Sequence, residues 1–95
     1  MNFSNALEYL KLGERLSRMG WLDADTFVYQ VKGTKVFYEQ LRNEAATHLK
    51  ADDIMNRGKT ANIKPHLDMV RSDGAINVGW TPTQEDMFAE DWFIR

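Results

Sequence analysis

The segment TFVYQVKG constrains the fold of this chain more than any other. Phe27, Tyr29 and Val31 alternate with Val28 and Gln30, and residues of high β-sheet propensity dominate, so the segment predicts a β-strand. Apolar side chains fall on both faces of that strand, which favours a central position in a sheet. The chain has 95 residues, a length that predicts one domain with one small core.

Three further segments predict the rest of the sheet. IKPHLDMVRSDGAINVGW predicts a hairpin. One strand begins at Pro65, Asp73-Gly74 makes a two-residue turn because this pair tolerates positive φ, and the return strand runs to Trp80. RLSRMGW predicts a short strand that leads into a Gly-Trp turn, and WFIR predicts a short final strand.

Helix signals occur in three places. Ser4 can cap a helix of about two turns, and Gly13 can end it in the left-handed conformation. Apolar residues four positions apart predict a second helix from about Tyr38 to Lys50. TPTQEDMFAED predicts a helical turn capped by one of its threonines. The fold class is therefore α+β: a small antiparallel β-sheet with an N-terminal helix, an inserted helix and a short helical turn before the last strand.

Composition excludes several functional classes. The net charge is −2, without a block of like charges, which argues against binding to duplex nucleic acid. Cysteine is absent, so disulfides, thiolate metal sites and thiol nucleophiles are excluded. The N-terminus carries no signal-peptide pattern, and no apolar stretch is long enough to span a membrane. We therefore expect a cytoplasmic protein that does not bind membranes.

Residues that suggest catalysis or metal binding are few. His66 and Asp68 are two positions apart on one strand face, but a metal site needs three or four converging ligands, so we expect a structural pair. The acidic pairs at 85–86 and 90–91 are adjacent residues, which point in different directions and do not form a carboxylate dyad. We expect no catalytic residue, no metal and no cofactor. An enzyme remains the third hypothesis, resting on His66, Asp86, Glu90 and Asp91.

The tryptophans give the strongest functional signal. We expect Trp92, in the apolar final strand, to lie in the core. Trp21 and Trp80 each follow a glycine and precede polar residues. Rings at strand ends beside hydrogen-bonding side chains suit a planar base. Stacking of a base on such a ring is worth about 1–3 kcal/mol in nucleic-acid complexes.

Both ends of the chain resemble a known family. The segments FSNALEYLKLGERLSRMGW, FVYQV and HLDMVRSDGAINVGWTPTQEDMFAEDWFI are similar to a pattern of F-S-x-A-L-x-x-L-x-x-G, R-x-G-W, and D-M-x-x-x-D-G followed by W-x-x-x-Q-x-D-M-x-A-E-D-W. This pattern is typical of small phage proteins, the second type of Thoeris anti-defence protein. Residues 34–62 have no firm counterpart in it, and we expect them to be a family-variable insertion.

The resemblance implies a sponge that is not an enzyme. Such proteins bind and sequester a cyclic ADP-ribose isomer made by Thoeris immunity in the infected bacterium, and some relatives hold cyclic oligonucleotides. The resemblance also implies a homotetramer with ligand pockets between subunits. It places Trp21 and Trp80 around the adenine, as a sandwich or as walls, with Arg18 as a phosphate partner. Gln84 and Asp86 are candidates for hydrogen bonds to ribose hydroxyls or base edges.

A different hypothesis is a module that docks on a protein partner. The predicted helix at 38–50 motivates it, since Leu41, Ala45 and Leu49 would form an apolar stripe. The alternative, which we favour, is that this helix packs on its own sheet or at a subunit interface.

Overall fold

The structure is a computed structural model that describes residues 1–49 and 60–95. Its described elements are, in order, α1 (Phe3–Lys11), β1 (Leu16–Arg18), β2 (Phe27–Val31), β3 (Thr34–Phe37), a 3-10 helix (Tyr38–Gln40), α2 (Asn43–His48), β4 (Thr60–Ile63), β5 (His66–Val70), β6 (Ile76–Val78), α3 (Gln84–Phe88) and β7 (Trp92–Ile94). This combination of helices and strands confirms the predicted α+β class.

The chain divides into two compact units. We call Met1–Val31 together with His66–Arg95 the sheet unit, and Lys32–Pro65 the insert unit. The insert unit contains residues 34–62. Both the variability of those residues within the family and the assignment of the chain to a single domain stay predictions.

The sheet unit contains one antiparallel five-stranded sheet in the order β6-β5-β2-β1-β7. The predicted central position of β2 is confirmed. Leu16 of β1 pairs with Val28 of β2, and Val28 pairs with Met69 of β5, so these three side chains form one row across the sheet. Helix α1 contributes to the same core. The buried apolar residues are Ala6, Leu10, Leu16, Val28, Met69 and Trp92, which confirms the core position of Trp92.

Helix α1 begins earlier than predicted. Asn2 is the N-cap, and its side-chain oxygen accepts a hydrogen bond of 2.9 Å from the Asn5 N–H. The prediction of Ser4 as the cap is wrong because asparagine, an equally strong cap, precedes it by two positions. Gly13 ends the helix as predicted, with φ of +94°. Its N–H donates to the Leu10 carbonyl and the Glu14 N–H donates to the Tyr9 carbonyl, which is the Schellman arrangement.

The hairpin β5–β6 is confirmed, but its turn is longer than predicted. Val70 pairs with Ile76, and the Arg71 N–H donates to the Ala75 carbonyl at 2.9 Å. In this turn Gly74 has positive φ, at +89°, whereas Asp73 does not. A two-residue type I′ turn needs positive φ at both central residues, so Asp73-Gly74 cannot form one here.

Helix α3 is capped by Thr83, one of the two threonines that were candidates for this cap. The Thr83 hydroxyl accepts from the Asp86 N–H at 3.1 Å, and the Thr83 N–H donates to Asp86 Oδ2 at 3.0 Å. This reciprocal pair is a capping box. The predicted final strand is present as β7, which pairs with β1 so that Arg18 lies opposite Trp92.

The insert unit differs from its prediction. Strands β3 and β4 pair along their length, from Thr34 opposite Ile63 to Phe37 opposite Thr60. The helix predicted for 38–50 is wrong in extent. A 3-10 helix is followed by extended backbone at Leu41 and Arg42, and α2 then spans six residues.

The repeat of apolar residues predicted a longer helix, but no residue of α2 is buried. A longer helix would need packing on its apolar face to be stable. Lys50, the predicted helix end, lies outside the described residues. The segment NRGKTAN has the composition of a loop, which predicts no strand there, but Thr60–Asn62 belong to β4. Residues 56–59 of that segment lie outside the described part of the chain. Across residues 1–49 and 60–95, no helix combines the length and apolar character needed to cross a membrane.

Candidate functional site

A cavity of about 380 Å³ opens within the sheet unit, next to two of the three tryptophans. This volume is within the range of small-molecule sites. The loop between β1 and β2, the end of β5 with the residue after it, and the segment after β6 supply its walls. The lining residues are Gly20, Trp21, Leu22, Asp23, Thr26, Met69, Arg71 and Trp80.

The two predicted ligand-binding tryptophans, Trp21 and Trp80, both line this cavity and are both half-buried. Trp80 enters after Gly79, whose φ of +75° allows the chain to turn. The ring centroids of the two tryptophans are 6.0 Å apart and their planes meet at 82°. Because the rings are in edge-to-face contact, no planar group can lie between them within one chain. A sandwich is thus excluded for the single chain, while a role as cavity walls stays a prediction.

The orientation of the Trp21 ring is fixed by polar and aromatic contacts. Its Nε1–H donates to Asp86 Oδ1 at 3.1 Å. Its ring also meets that of Trp92 edge-to-face, with centroids 5.3 Å apart. The Trp92 Nε1–H in turn donates to the Asp86 backbone carbonyl at 2.9 Å. Asp86 therefore anchors both indoles through its side chain and its backbone.

Arg18 is held by two carboxylates. Its Nη1 donates to Asp86 Oδ1 at 2.7 Å and its Nε donates to Asp91 Oδ1 at 2.8 Å, while its side chain is only 9% exposed. We call Arg18, Asp86 and Asp91 the Arg18 cluster. Gly20 contacts this cluster through its N–H, which donates to Asp91 Oδ2 at 2.8 Å. A Cβ at Gly20 would lie 2.9 Å from the same oxygen, so a larger residue before Trp21 would displace the Asp91 carboxylate from its position in this cluster.

The Arg18 cluster is electrostatically satisfied. The hydrogen bond to Asp91 raises the pKa of Arg18, against the opposing effect of burial, and Asp86 raises it further. Burial favours a higher pKa for Asp86, but hydrogen bonds from the Thr83 backbone, Arg18 and Trp21 outweigh it, so the pKa of Asp86 is lowered. The hydrogen bond from Arg18 is the main reason that the pKa of Asp91 is lowered. All three groups are thus charged at neutral pH.

The structure separates the five predicted ligand residues into two sets. Trp21 and Trp80 line the cavity, whereas Arg18, Asp86 and Gln84 do not. Asp86 is 5% exposed and uses both carboxylate oxygens within the protein. Gln84 is exposed at the start of α3. For Arg18 or Asp86 to reach a ligand, their ion pair would have to open, and the ligand contacts of all five residues stay predictions.

Sequence reasoning missed the polar residues of the cavity, Asp23, Thr26 and Arg71, which we call the polar wall. Asp23 Oδ2 accepts from the Ser72 hydroxyl at 2.7 Å and from the Ser72 N–H at 3.1 Å. These bonds tie the β1–β2 loop to the β5–β6 turn. The Ser72 hydroxyl is the main reason that the pKa of Asp23 falls to about 2. Asp23 and Arg71 each stand next to a predicted turn, but no local pattern shows that the two turns meet.

The residues considered for catalysis are placed in structural contacts. His66 Nε2 lies 3.5 Å from Asp68 Oδ1, which agrees with the predicted pair. The Tyr29 hydroxyl donates to Asp68 Oδ2 at 3.3 Å. Glu90 is exposed, and its carbonyl accepts from the N-terminal ammonium group. Among the described residues, no group of three or more His, Asp or Glu side chains is placed to hold a metal ion.

Comparison with protein families identifies a match over the whole chain. A family model described as Tad2-like, the Thoeris anti-defense 2-like domain, matches residues 1–95. A search of curated proteins found no match.

Proposed function

The chain belongs to the Thoeris anti-defense 2-like family, and from this premise we propose that it binds and sequesters a cyclic nucleotide immune signal without degrading it. The family supports a role in Thoeris anti-defence. The ligand that we propose is the cyclic ADP-ribose isomer of Thoeris immunity, and the setting is the cytoplasm of a bacterium infected by the phage that encodes the protein. The protein acts by lowering the concentration of free signal.

The cavity beside Trp21 and Trp80 is the observation that supports this proposal most. Two large rings are half-buried at its edge instead of being enclosed in the core. The face of an indole that is open to a cavity can stack on a purine, with about 1–3 kcal/mol per base. The contacts of Trp21 with Asp86 and Trp92 hold that ring in place before the ligand arrives. Such preorganisation reduces the entropy lost on binding.

Sequestration needs tight binding and no chemistry. Nanomolar retention corresponds to about 12 kcal/mol, more than one stacked ring and one ion pair supply. The cavity of a single chain therefore has to be closed further, and we propose that a neighbouring subunit of a homotetramer closes it. The absence of turnover is part of the proposal. The carboxylates of Asp86 and Asp91 both accept hydrogen bonds from Arg18, and neither residue lines the cavity.

The proposal is tested by retention and release. Purified protein is mixed with the cyclic ADP-ribose isomer, separated from free ligand by gel filtration and then heated, and the released compound is identified by mass spectrometry. We expect one intact compound, identical to the one added. Recovery of a hydrolysed product would show that the chain is an enzyme, and failure to retain any cyclic nucleotide would contradict the proposal.

Variants locate the ligand. Trp21→Ala and Trp80→Ala should each abolish retention, because each removes a wall of the cavity. Phe37→Ala is a matched control, since it removes an exposed aromatic ring from the insert unit.

A parallel series with cyclic oligonucleotides shows whether these relatives of the ligand compete for the same site. Native mass spectrometry of the same samples measures the subunit number, and four is the expected value.

The docking hypothesis loses its original basis. The apolar stripe at Leu41, Ala45 and Leu49 required a continuous helix, but Leu41 and Leu49 both have extended backbone, on either side of α2. A partner protein captured by residues 38–49 is therefore not proposed.

A further inference from the structure

We propose that Arg71, together with the hydroxyl of Thr26, forms a phosphate subsite on the polar wall of the cavity, in place of the role that the family resemblance gives to Arg18. This inference rests on the proposed function, because it concerns how the same cavity recognises its ligand.

Arg71 is the available cation of this cavity. It follows β5 directly, lines the cavity and is exposed. Its backbone N–H is used in the hairpin turn, but its guanidinium forms no ion pair with a carboxylate in the described ranges. A guanidinium presents donors in a rigid fork that matches phosphate oxygens. Arg18, by contrast, already has two carboxylate partners and is not among the lining residues.

Thr26 supplies a second, independent observation. Its side chain is almost fully enclosed, at 3% exposure, yet its Oγ1 has no hydrogen-bond partner of normal geometry. The Asp23 carboxylate is near enough for the Thr26 hydroxyl to make a minor contribution to its low pKa. A buried hydroxyl without a regular partner is costly. A ligand oxygen in the cavity that Thr26 lines would satisfy this hydroxyl once its side chain turns to expose Oγ1.

Asp23 brings the two halves of the subsite together. Its carboxylate is bonded to Ser72, the residue after Arg71, and its carbonyl accepts from the Thr26 N–H at 3.1 Å. Asp23 itself is ionised, since its pKa is about 2, so a phosphate in this subsite has to lie closer to the Arg71 guanidinium than to the Asp23 carboxylate. The polar wall therefore has a cationic end at Arg71 and an anionic end at Asp23. A phosphate at the first end and a hydroxyl or amino donor at the second would satisfy both, which is the chemistry of a phosphorylated nucleoside.

Calorimetric titration with two probes tests the subsite. Wild-type protein is titrated with the cyclic ADP-ribose isomer, which carries a pyrophosphate, and with adenosine, which does not. Arg71→Gln should weaken the first interaction by about 10- to 100-fold, the loss expected for a hydrogen bond to a charged group, and leave adenosine binding unchanged. Arg71→Lys should recover part of the loss through its charge. Thr26→Val, which removes the hydroxyl but keeps the shape, should weaken pyrophosphate-ligand binding by about 2- to 10-fold.

Lys11→Gln is the matched control for charge. Lys11 is an exposed cation on α1, away from the cavity lining, so its removal should not affect either titration. Equal losses for Arg71→Gln and Lys11→Gln would overturn the subsite, as would an equal loss of adenosine and of the phosphate-bearing ligand. Thermal unfolding of each variant verifies that the exposed Arg71 can be replaced without loss of the fold.

The subsite can be tested even if the protein retains no cyclic nucleotide. Inorganic pyrophosphate is then titrated into ¹⁵N-labelled protein while the Arg71 Nε–H signal is followed by NMR. A saturable shift of that signal, absent for the Arg18 Nε–H, would support the subsite although the proposed function had failed. An unchanged Arg71 signal would overturn the subsite, whatever ligand the cavity holds.

Discussion

The Arg18 cluster and the polar wall each contain an arginine and at least one aspartate, but the two arginines differ in their contacts. In the Arg18 cluster the arginine side chain is 9% exposed, and its guanidinium is bonded to both carboxylates. On the polar wall Arg71 is exposed without a carboxylate partner in the part of the chain described, and Thr26 Oγ1 lacks a regular hydrogen bond. Polar groups whose hydrogen bonds are all satisfied rigidify a structure. Polar groups beside a cavity that lack hydrogen-bond partners are available to a ligand.

The Trp21 ring connects the Arg18 cluster with the cavity. Its Nε1–H belongs to the Arg18 cluster through Asp86, and the ring also lines the cavity with the polar wall. The arrangement suggests a division of labour, in which the Arg18 cluster positions the aromatic wall and the polar wall meets the ligand. The predictions below test that division, from the largest expected effect to the smallest.

Removing Arg18 should have the largest effect on stability. Arg18→Met leaves two carboxylates without their cation, and Asp86 is buried, so we expect a loss of about 3–5 kcal/mol in the free energy of unfolding. The same change at exposed Arg71 should alter stability by less than about 0.5 kcal/mol. Urea unfolding of both variants measures the difference. Similar values for the two arginines would remove the distinction between the Arg18 cluster and the polar wall.

Replacing Asp86 by asparagine should have an intermediate effect. The amide can still accept one hydrogen bond, but its NH₂ group would face the Thr83 N–H, which now donates to Asp86 Oδ2. We expect Asp86→Asn to cost about 1–3 kcal/mol and to shift the NMR signal of the Trp21 indole N–H.

A cycle with Trp21→Phe separates positioning from stability. Phenylalanine keeps a ring but lacks the N–H donor. If Asp86 acts only by positioning the Trp21 ring, any effect of Asp86→Asn on ligand affinity should disappear in the Trp21→Phe protein, while its cost in stability remains. An undiminished effect on affinity in the Trp21→Phe protein would mean that Asp86 touches the ligand directly, as predicted from the chemistry of its side chain.

Asp23 predicts a pH dependence of stability. Its pKa in the folded protein is about 2, below its usual value of 3.8, so the folded state holds the proton less tightly than the unfolded state. The contribution of Asp23 is therefore fully present above pH 4 and is lost as the pH falls from about 4 towards 2. The difference in thermal midpoint between wild type and Asp23→Asn should shrink over that range. A difference that stays constant down to pH 2 would contradict the Asp23–Ser72 contact.

Parts of the fold with strong local signals could be predicted from the sequence. Both faces of β2 are apolar, Gly13 ends α1, and Thr83 caps α3, and each of these signals depends on residues within one element. The prediction for 38–50 failed because an apolar repeat was read as a packed helix face, whereas no residue of α2 is buried. Periodicity shows where a face would lie, but not whether anything covers it.

The candidate site could be predicted only in part, for a related reason. Trp21 and Trp80 were identified from their glycines and neighbours, and they line one cavity. The engagement of Arg18 could not be foreseen, because it depends on the pairing that sets Arg18 opposite Trp92 and so brings Asp91 alongside. Likewise, Arg71 enters the cavity through a contact between two turns 49 positions apart, Asp23 and Ser72. Such contacts are properties of the tertiary fold.

A crystal structure of the complex with the cyclic ADP-ribose isomer tests the central claim most directly. We expect the adenine against Trp21 or Trp80, a phosphate within hydrogen-bond distance of the Arg71 guanidinium, and Arg18 still bonded to Asp86 and Asp91. Ligand density elsewhere on the protein, with the cavity beside Trp21 and Trp80 holding none, would contradict the account.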